Sequence, residues 1–187
     1  MATSETAICN SALVKLGGKR ITSLDDISPL AQTMKEQYDK HREELLYSHP
    51  WKFAMKSYAP AEIAKPPGVN TPDFRFGLPL DCLRVVGTDG KTDRWYVQDG
   101  SVYVDRTFPV IYYIANITDV SKFTPGFSEV LACKIAADIC YQVTQSVSLT
   151  DKMTQQYEAK LRQVRSYSAQ EGSVPRVYAD DWLHSRY

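Results

Sequence analysis

The sequence predicts an α+β fold: a helical bundle of about four helices packed with an antiparallel β-meander of about four strands inserted between helices 2 and 3. Three observations carry this. Apolar residues recur at helical spacing over 4–48 and again over 124–172. The period shortens to two between Asp81 and Ile114. Within that second region Asp-Gly, the strongest short hairpin signal, occurs twice, at Asp89-Gly90 and Asp99-Gly100. Between the two patterns, residues 44–53 carry a long amphipathic helix into Pro50 and hand the chain on through Trp51 and Phe53. Those two aromatics, with Leu45 before them and Phe127 and Leu131 later, are the expected core and joint between a helical layer and a β layer.

Each element has its own signal. Thr3 or Ser4 caps a first helix over 4–16, with Ile8, Ala12 and Leu16 at helical spacing and Gly17-Gly18 as the left-handed stop. Ser28-Pro29 starts the second, because a proline at the first helical position loses no intrahelical bond. Its stripe is Leu30, Met34, Tyr38, His41 and Leu45, and it runs to about Ser48 with Glu36 and Lys40 paired on the surface. Pro50 ends it, so the chain leaves extended from Trp51 to Tyr58.

Five prolines over 60–79 make that region a loop, with Phe74-Arg75-Phe76 as a short aromatic piece facing the sheet or a neighbouring chain. Strands follow at Cys82 to Val86, Arg94 to Val97, Ser101 to Asp105 and Pro109 to Ile114. Thr124-Pro125 repeats the cap-plus-proline start for the third and most apolar helix. Ser148 with Asp151 is the expected cap of the fourth, whose stripe is Met153, Tyr157, Leu161 and Val164, with Glu158 and Arg162 paired outside.

The 187 residues, 43% of them hydrophobic, suffice for a single domain over 1–187. Lys plus Arg number 22 and Asp plus Glu 22, so no net field draws the chain to a phosphate backbone or an acidic membrane. Neither a leader pattern at the N-terminus nor an apolar run long enough for a bilayer is present, and a soluble, unanchored protein is expected. Twelve tyrosines and three tryptophans are the kind of allotment that large protein interfaces use.

Chemistry is harder to find. Cys9, Cys82, Cys133 and Cys140 form no CxxC pair, and His41, His49 and His184 are scattered, so neither a disulfide framework nor a metal site is expected. Cys133 and Cys140 are read as small core residues, and His41 as a packing residue on its helix stripe. No phosphate loop, nucleophile elbow or HExxH motif occurs, and no cofactor is expected. Cys82 with His49 would make a small thiol hydrolase only if the fold joined them; Arg94, Trp95, Tyr96 and Tyr103 would suit a nucleic-acid-binding module, but neutral net charge and a hairpin context favour ordinary sheet packing for them. Asp25-Asp26 and Asp180-Asp181 read as solvated or capping acids.

Six pieces in order carry a family likeness: 12–17, 21–26, 45–53, 79–85, the Trp95-Tyr96 hairpin and 127–137. Together they resemble the tail tubular protein A family of podovirus-type phages, over roughly residues 4–170. The resemblance implies a non-enzymatic structural virion protein, a head-to-tail adaptor assembled in the host cytoplasm. Such a subunit joins a ring, twelvefold in the family, under the portal protein and above a tail nozzle of the tail tubular protein B type. Tail fibres attach nearby, and DNA passes through the channel, unbound in sequence-specific terms, during packaging retention and genome ejection. The aromatic segment 173–187 falls outside the likeness. From composition, Phe74, Phe76, Tyr178, Trp182, Leu183 and Tyr187 are the expected subunit or portal contacts.

Overall fold

The computed structural model describes residues 4–65 and 73–172. The fold is α+β, with four helices and two antiparallel sheets whose strands lie between the second and third helices in sequence. The chain gathers into two compact units, one helical, from 4–53 with 117–171, and one of sheet, from 54–65 with 73–116.

The helical unit contains α1 (Glu5–Lys15), α2 (Pro29–Ser48), α3 (Pro125–Thr144) and α4 (Val147–Gln170). Ser4 Oγ accepts from the Ala7 amide to open α1, and at its other end the Gly18 amide donates to the Leu13 carbonyl with Gly17 at φ +70°. That pairing is the six-to-one bond by which a left-handed residue ends a helix. Asn10 then fixes the connector, its amide giving to the Ile21 carbonyl at 2.9 Å while its oxygen accepts from the Ile21 amide at 2.8 Å. Ser28 and Thr124 cap α2 and α3 as the proline signals predict.

Helix α3 buries Phe127, Leu131, Ile135 and Ile139 together with Cys133 and Cys140, and is the central element of this unit. The cap of helix α4 lies two residues earlier than expected. Ser146, not Ser148, accepts from the Leu149 amide, because Gln145 turns left-handed at φ 54° and resets the chain there. Lys40, expected to pair with Glu36 along its own helix, stands 3.7 Å from Asp138 on α3.

In the sheet unit the single meander is replaced by two three-stranded sheets. The strands are β1 (Met55–Tyr58), β2 (Phe74–Gly77), β3 (Cys82–Thr88), β4 (Trp95–Gln98), β5 (Ser101–Val104) and β6 (Ile111–Ala115), ordered β1-β6-β3 and β2-β5-β4. Trp51 does not enter an extended run directly: a single 3₁₀ turn, Lys52–Ala54, precedes β1.

Asp99-Gly100 makes the predicted two-residue hairpin, with φ 49° and 64°, joining β4 to β5. Asp89-Gly90 does not. There the Asp89 carboxylate accepts from the Val110 amide at 2.8 Å and from the Arg106 guanidinium, which ties the end of β3 to the chain entering β6 instead of folding it onto β4. The core of this unit is Phe76, Val85, Val102, Val104 and Ile111.

Candidate interaction surfaces

Of the expected core and joint residues, Leu45, Trp51, Phe127 and Leu131 are buried and Phe53 is half-buried. The Trp51 indole N–H donates to the Leu45 carbonyl at 2.7 Å, so it takes up one of the carbonyls that the end of α2 leaves without a helical partner. Its ring meets Phe127 edge-on at 5.2 Å and His49 at 4.7 Å, and Phe53 packs on Phe123 and Phe127 at 5.8 and 4.9 Å. All of these partners belong to the helical unit, where residues 44–53 seal the C-terminus of α2 against α3.

The same unit holds a polar cavity of about 280 Å³ lined by Lys40, His41, Glu44, Lys134, Asp138 and Tyr157, among others. His41 is buried on its floor, and its Nε2–H donates to Asp138 at 3.0 Å. Nδ1 has no hydrogen-bond partner, and the nearest Glu44 oxygen stands 3.6 Å away. Glu44 in turn accepts from Lys134 at 2.8 Å, which holds its carboxyl below the ordinary range, and Lys134 lies over the Tyr157 ring. Burial pushes the His41 pKa down and Asp138 opposes it, with burial the larger effect. The group is therefore a neutral packing histidine at pH 7, and its charged neighbours are paired with one another.

Three of the thiols are shifted away from the thiolate. Burial, aided by the Asp81 charge, pushes the Cys82 thiol up, the wrong direction for a nucleophile. Cys9 is pushed up to about 12 and Cys133 is raised, in both cases chiefly by burial. Among the described residues, no cluster of three or more His, Cys, Asp or Glu side chains is arranged to hold a metal ion, and no helix is long and apolar enough to cross a membrane. Asp26 caps its own loop by accepting from the Ser23 amide, while Asp25 pairs with Lys35 at the surface.

Phe74 and Phe76, offered by the sequence as outward contacts, lie on β2. Phe76 is 1% exposed and part of the sheet core, so it is not a surface contact; Phe74 is half-buried against the same core. A short strand fits between Pro72 and Pro79 because four residues suffice to pair with β5. Tyr178, Trp182, Leu183 and Tyr187 lie outside the described residues.

The sheet containing β2 shows what the sequence did not single out. Register places Phe74, Val104 and Trp95 in one cross-strand row and Phe76, Val102 and Val97 in the next, both on the core side. Along the second row exposure goes from 1% at Phe76 and 0% at Val102 to 48% at Val97. Among the described residues the hydrophobic face therefore runs to the edge of the sheet and stops uncovered. On the opposite face Arg75, Tyr103 and Tyr96 form a row in which the two tyrosine rings stack at 4.9 Å, and Arg94 pairs with Asp105 at 3.2 Å. The aromatic and basic groups that suggested nucleic-acid stacking are thus engaged with their sheet neighbours.

The two edges of this sheet differ. Outside β2, Glu62 bridges to Phe76 and the Ile63 amide donates to the Arg75 carbonyl at 2.9 Å. Strand β4 forms the other edge, and all four of its residues are exposed. Elsewhere in the sheet unit Leu80 and Phe108 stand clear of it, while the helical unit exposes Ile27, Tyr47, Tyr141, Val147 and Tyr167. No protein-family model matches the chain, and no curated protein matches it either.

Proposed function

We propose that this chain is a structural subunit of a phage head-to-tail adaptor: one copy in a ring, twelvefold by the family likeness, between the portal and a tail nozzle. The ring surrounds the channel through which DNA is retained after packaging and later ejected, with fibres attached nearby. The reading assigns the chain no catalytic step and no cofactor. It rests on the six ordered pieces between 12 and 137 that resemble the tail tubular protein A family.

One structural observation supports it. Each unit exposes large apolar or aromatic side chains of its own, Trp95, Val97, Leu80 and Phe108 in one and Ile27, Tyr47 and Val147 in the other. A closed ring requires two unlike sticky patches on every copy, each meeting the other patch of its neighbour. A zero net charge suits a channel wall along which DNA slides without being held.

The test is cosedimentation with the portal protein encoded in the same genome. The chain is expected to travel with the portal assembly at a ratio of about one to one. A chain that stays at the top of the gradient at every salt concentration tried would remove the proposal.

A further inference from the structure

Phe108, in the loop between β5 and β6, combines two unfavourable features. Its side chain is 89% exposed, and its backbone stands at φ 55°, in the left-handed region that a bulky residue adopts only under constraint. Such a backbone persists where the surroundings over-determine it, and it clusters at functional positions. Here the constraint is visible. Asp89 accepts from the Val110 amide at 2.8 Å and from the Arg106 guanidinium, and its own amide donates to the Val110 carbonyl at 3.0 Å. Arg106 also reaches Asp93 at 3.3 Å. The loop is tied on both sides of Phe108, so the phenyl group it presents has little freedom to lose on binding.

We infer that Phe108 is an anchor that enters a cavity in the helical unit of a neighbouring copy of this chain. This rests on the ring reading and names one of its contacts. The cavity, of about 140 Å³, lies between the start of α3 and the end of α4, with Pro125, Val164 and Tyr167 among its lining and Thr124, Ser168 and Glu171 beside them. A cavity of about 150 Å³ holds benzene, so the volume suits one phenyl group. The chemistry suits it too. Thr124 Oγ1 already accepts from the Phe127 amide and the Tyr167 hydroxyl from the Gln163 side chain, so neither asks an apolar occupant for a hydrogen bond. Two other recesses of the helical unit fit less well: one is lined by Lys40, Lys134, Glu44 and Asp138, and the other, of about 400 Å³, by Asn10, Ser11 and Arg20 among others.

The area involved sets the strength. One buried phenylalanine removes about 150–250 Å² from water, far below the roughly 1,200–2,000 Å² of a stable pair. Between free copies the contact is therefore weak. In a closed ring each copy uses both surfaces at once, its phenyl group toward one neighbour and its cavity toward the other, and a portal that gathers the copies raises their effective concentration. Anchor and cavity are different surfaces, so the contact is heterologous and propagates from copy to copy.

The test is methyl NMR of the full chain over a hundredfold range of concentration, read at the Val164 methyls, with Phe108→Ala and Phe108→Gly alongside. As copies associate, the entering phenyl group should shift those methyls progressively upfield. Both substitutions should remove the shift, because losing an aromatic anchor weakens association by about thirtyfold or more. Phe108→Gly suits the left-handed φ, so its urea midpoint should not fall below that of the native chain, which separates loss of contact from loss of fold. Unlabelled native chain added to labelled Phe108→Ala, whose cavity is intact, should restore the shift.

Val164 methyls that do not move with concentration overturn the inference, as does equal movement in the native chain and Phe108→Ala. A Phe108-dependent shift of one size at every concentration also overturns it, by placing the phenyl group in the cavity of its own chain. Phe108→Ala copies that still build complete rings on the portal would remove this contact and leave the adaptor reading standing. A concentration-dependent Phe108 shift in a chain that ignores the portal would do the reverse.

Discussion

Trp51→Ala is the perturbation with the largest expected effect on the helical unit. Trp51 is 1% exposed, and an indole of that size removes 150–250 Å² from water, about 4–6 kcal/mol at 25 cal/mol/Å² before the alanine that remains is counted. Partial collapse of the site and the retained Cβ bring the expected loss to about 3–5 kcal/mol, the range seen when buried aromatics become alanine. The indole N–H bond to the Leu45 carbonyl is a separable part of that loss.

Trp51→Phe keeps a ring against Phe127 and removes only the indole bond to that carbonyl, which still accepts from Ser48 Oγ at 2.9 Å, for an expected loss of about 0.5–1.5 kcal/mol. Urea unfolding followed at 222 nm reads the helices directly, and a separate transition for the sheet unit would leave this one resolvable. A loss below about 1 kcal/mol for Trp51→Ala would refute the reasoning. So would equal losses for the two variants, since the ring contacts would then count for nothing.

Two other predictions concern the same unit. A Cβ on Gly126 would lie 2.8 Å from a Val164 methyl, so Gly126→Ala should cost about 1–3 kcal/mol, and adding Val164→Ala should recover part of it in a double-mutant cycle. Additive losses would show that α3 and α4 do not meet there. Burial lowers the His41 pKa below its unfolded value, so the unfolded state binds more protons and stability falls as pH drops below about 6.5. Urea midpoints between pH 7.5 and 5.5 should fall more for the native chain than for His41→Gln, and parallel falls would remove His41 as the source.

Helix positions were legible because their signals are local. Ser28-Pro29 and Thr124-Pro125 mark helix starts by what proline cannot do, and Gly17-Gly18 marks an end by a conformation only glycine adopts freely. The cap of α4 was misplaced because Ser146 and Ser148 both suit the role, and the choice falls to the left-handed Gln145, which no side-chain preference announces. Strand pairing is less local. Asp89-Gly90 and Asp99-Gly100 are identical dipeptides, yet only the second turns tightly, because Asp89 is engaged by Val110 and Arg106 from far along the chain.

Surface and core were confused for a related reason. Alternation says which residues share a face, not whether the strand is central or at an edge. Phe76 therefore reads as an outward contact and is core, whereas Trp95 reads as ordinary sheet packing and lies, with Val97, at the sheet's edge strand. The Cys82 and His49 pairing depended on a folded arrangement that sequence cannot supply, and the raised Cys82 pKa argues against an activated thiol.

The adaptor account is tested most directly by electron microscopy of the chain mixed with the portal protein from the same genome. It predicts class averages with a closed ring of twelve copies seated on one end of the portal and an open axial channel. Portal particles with no added density, or copies bound as isolated two-fold dimers, would contradict it.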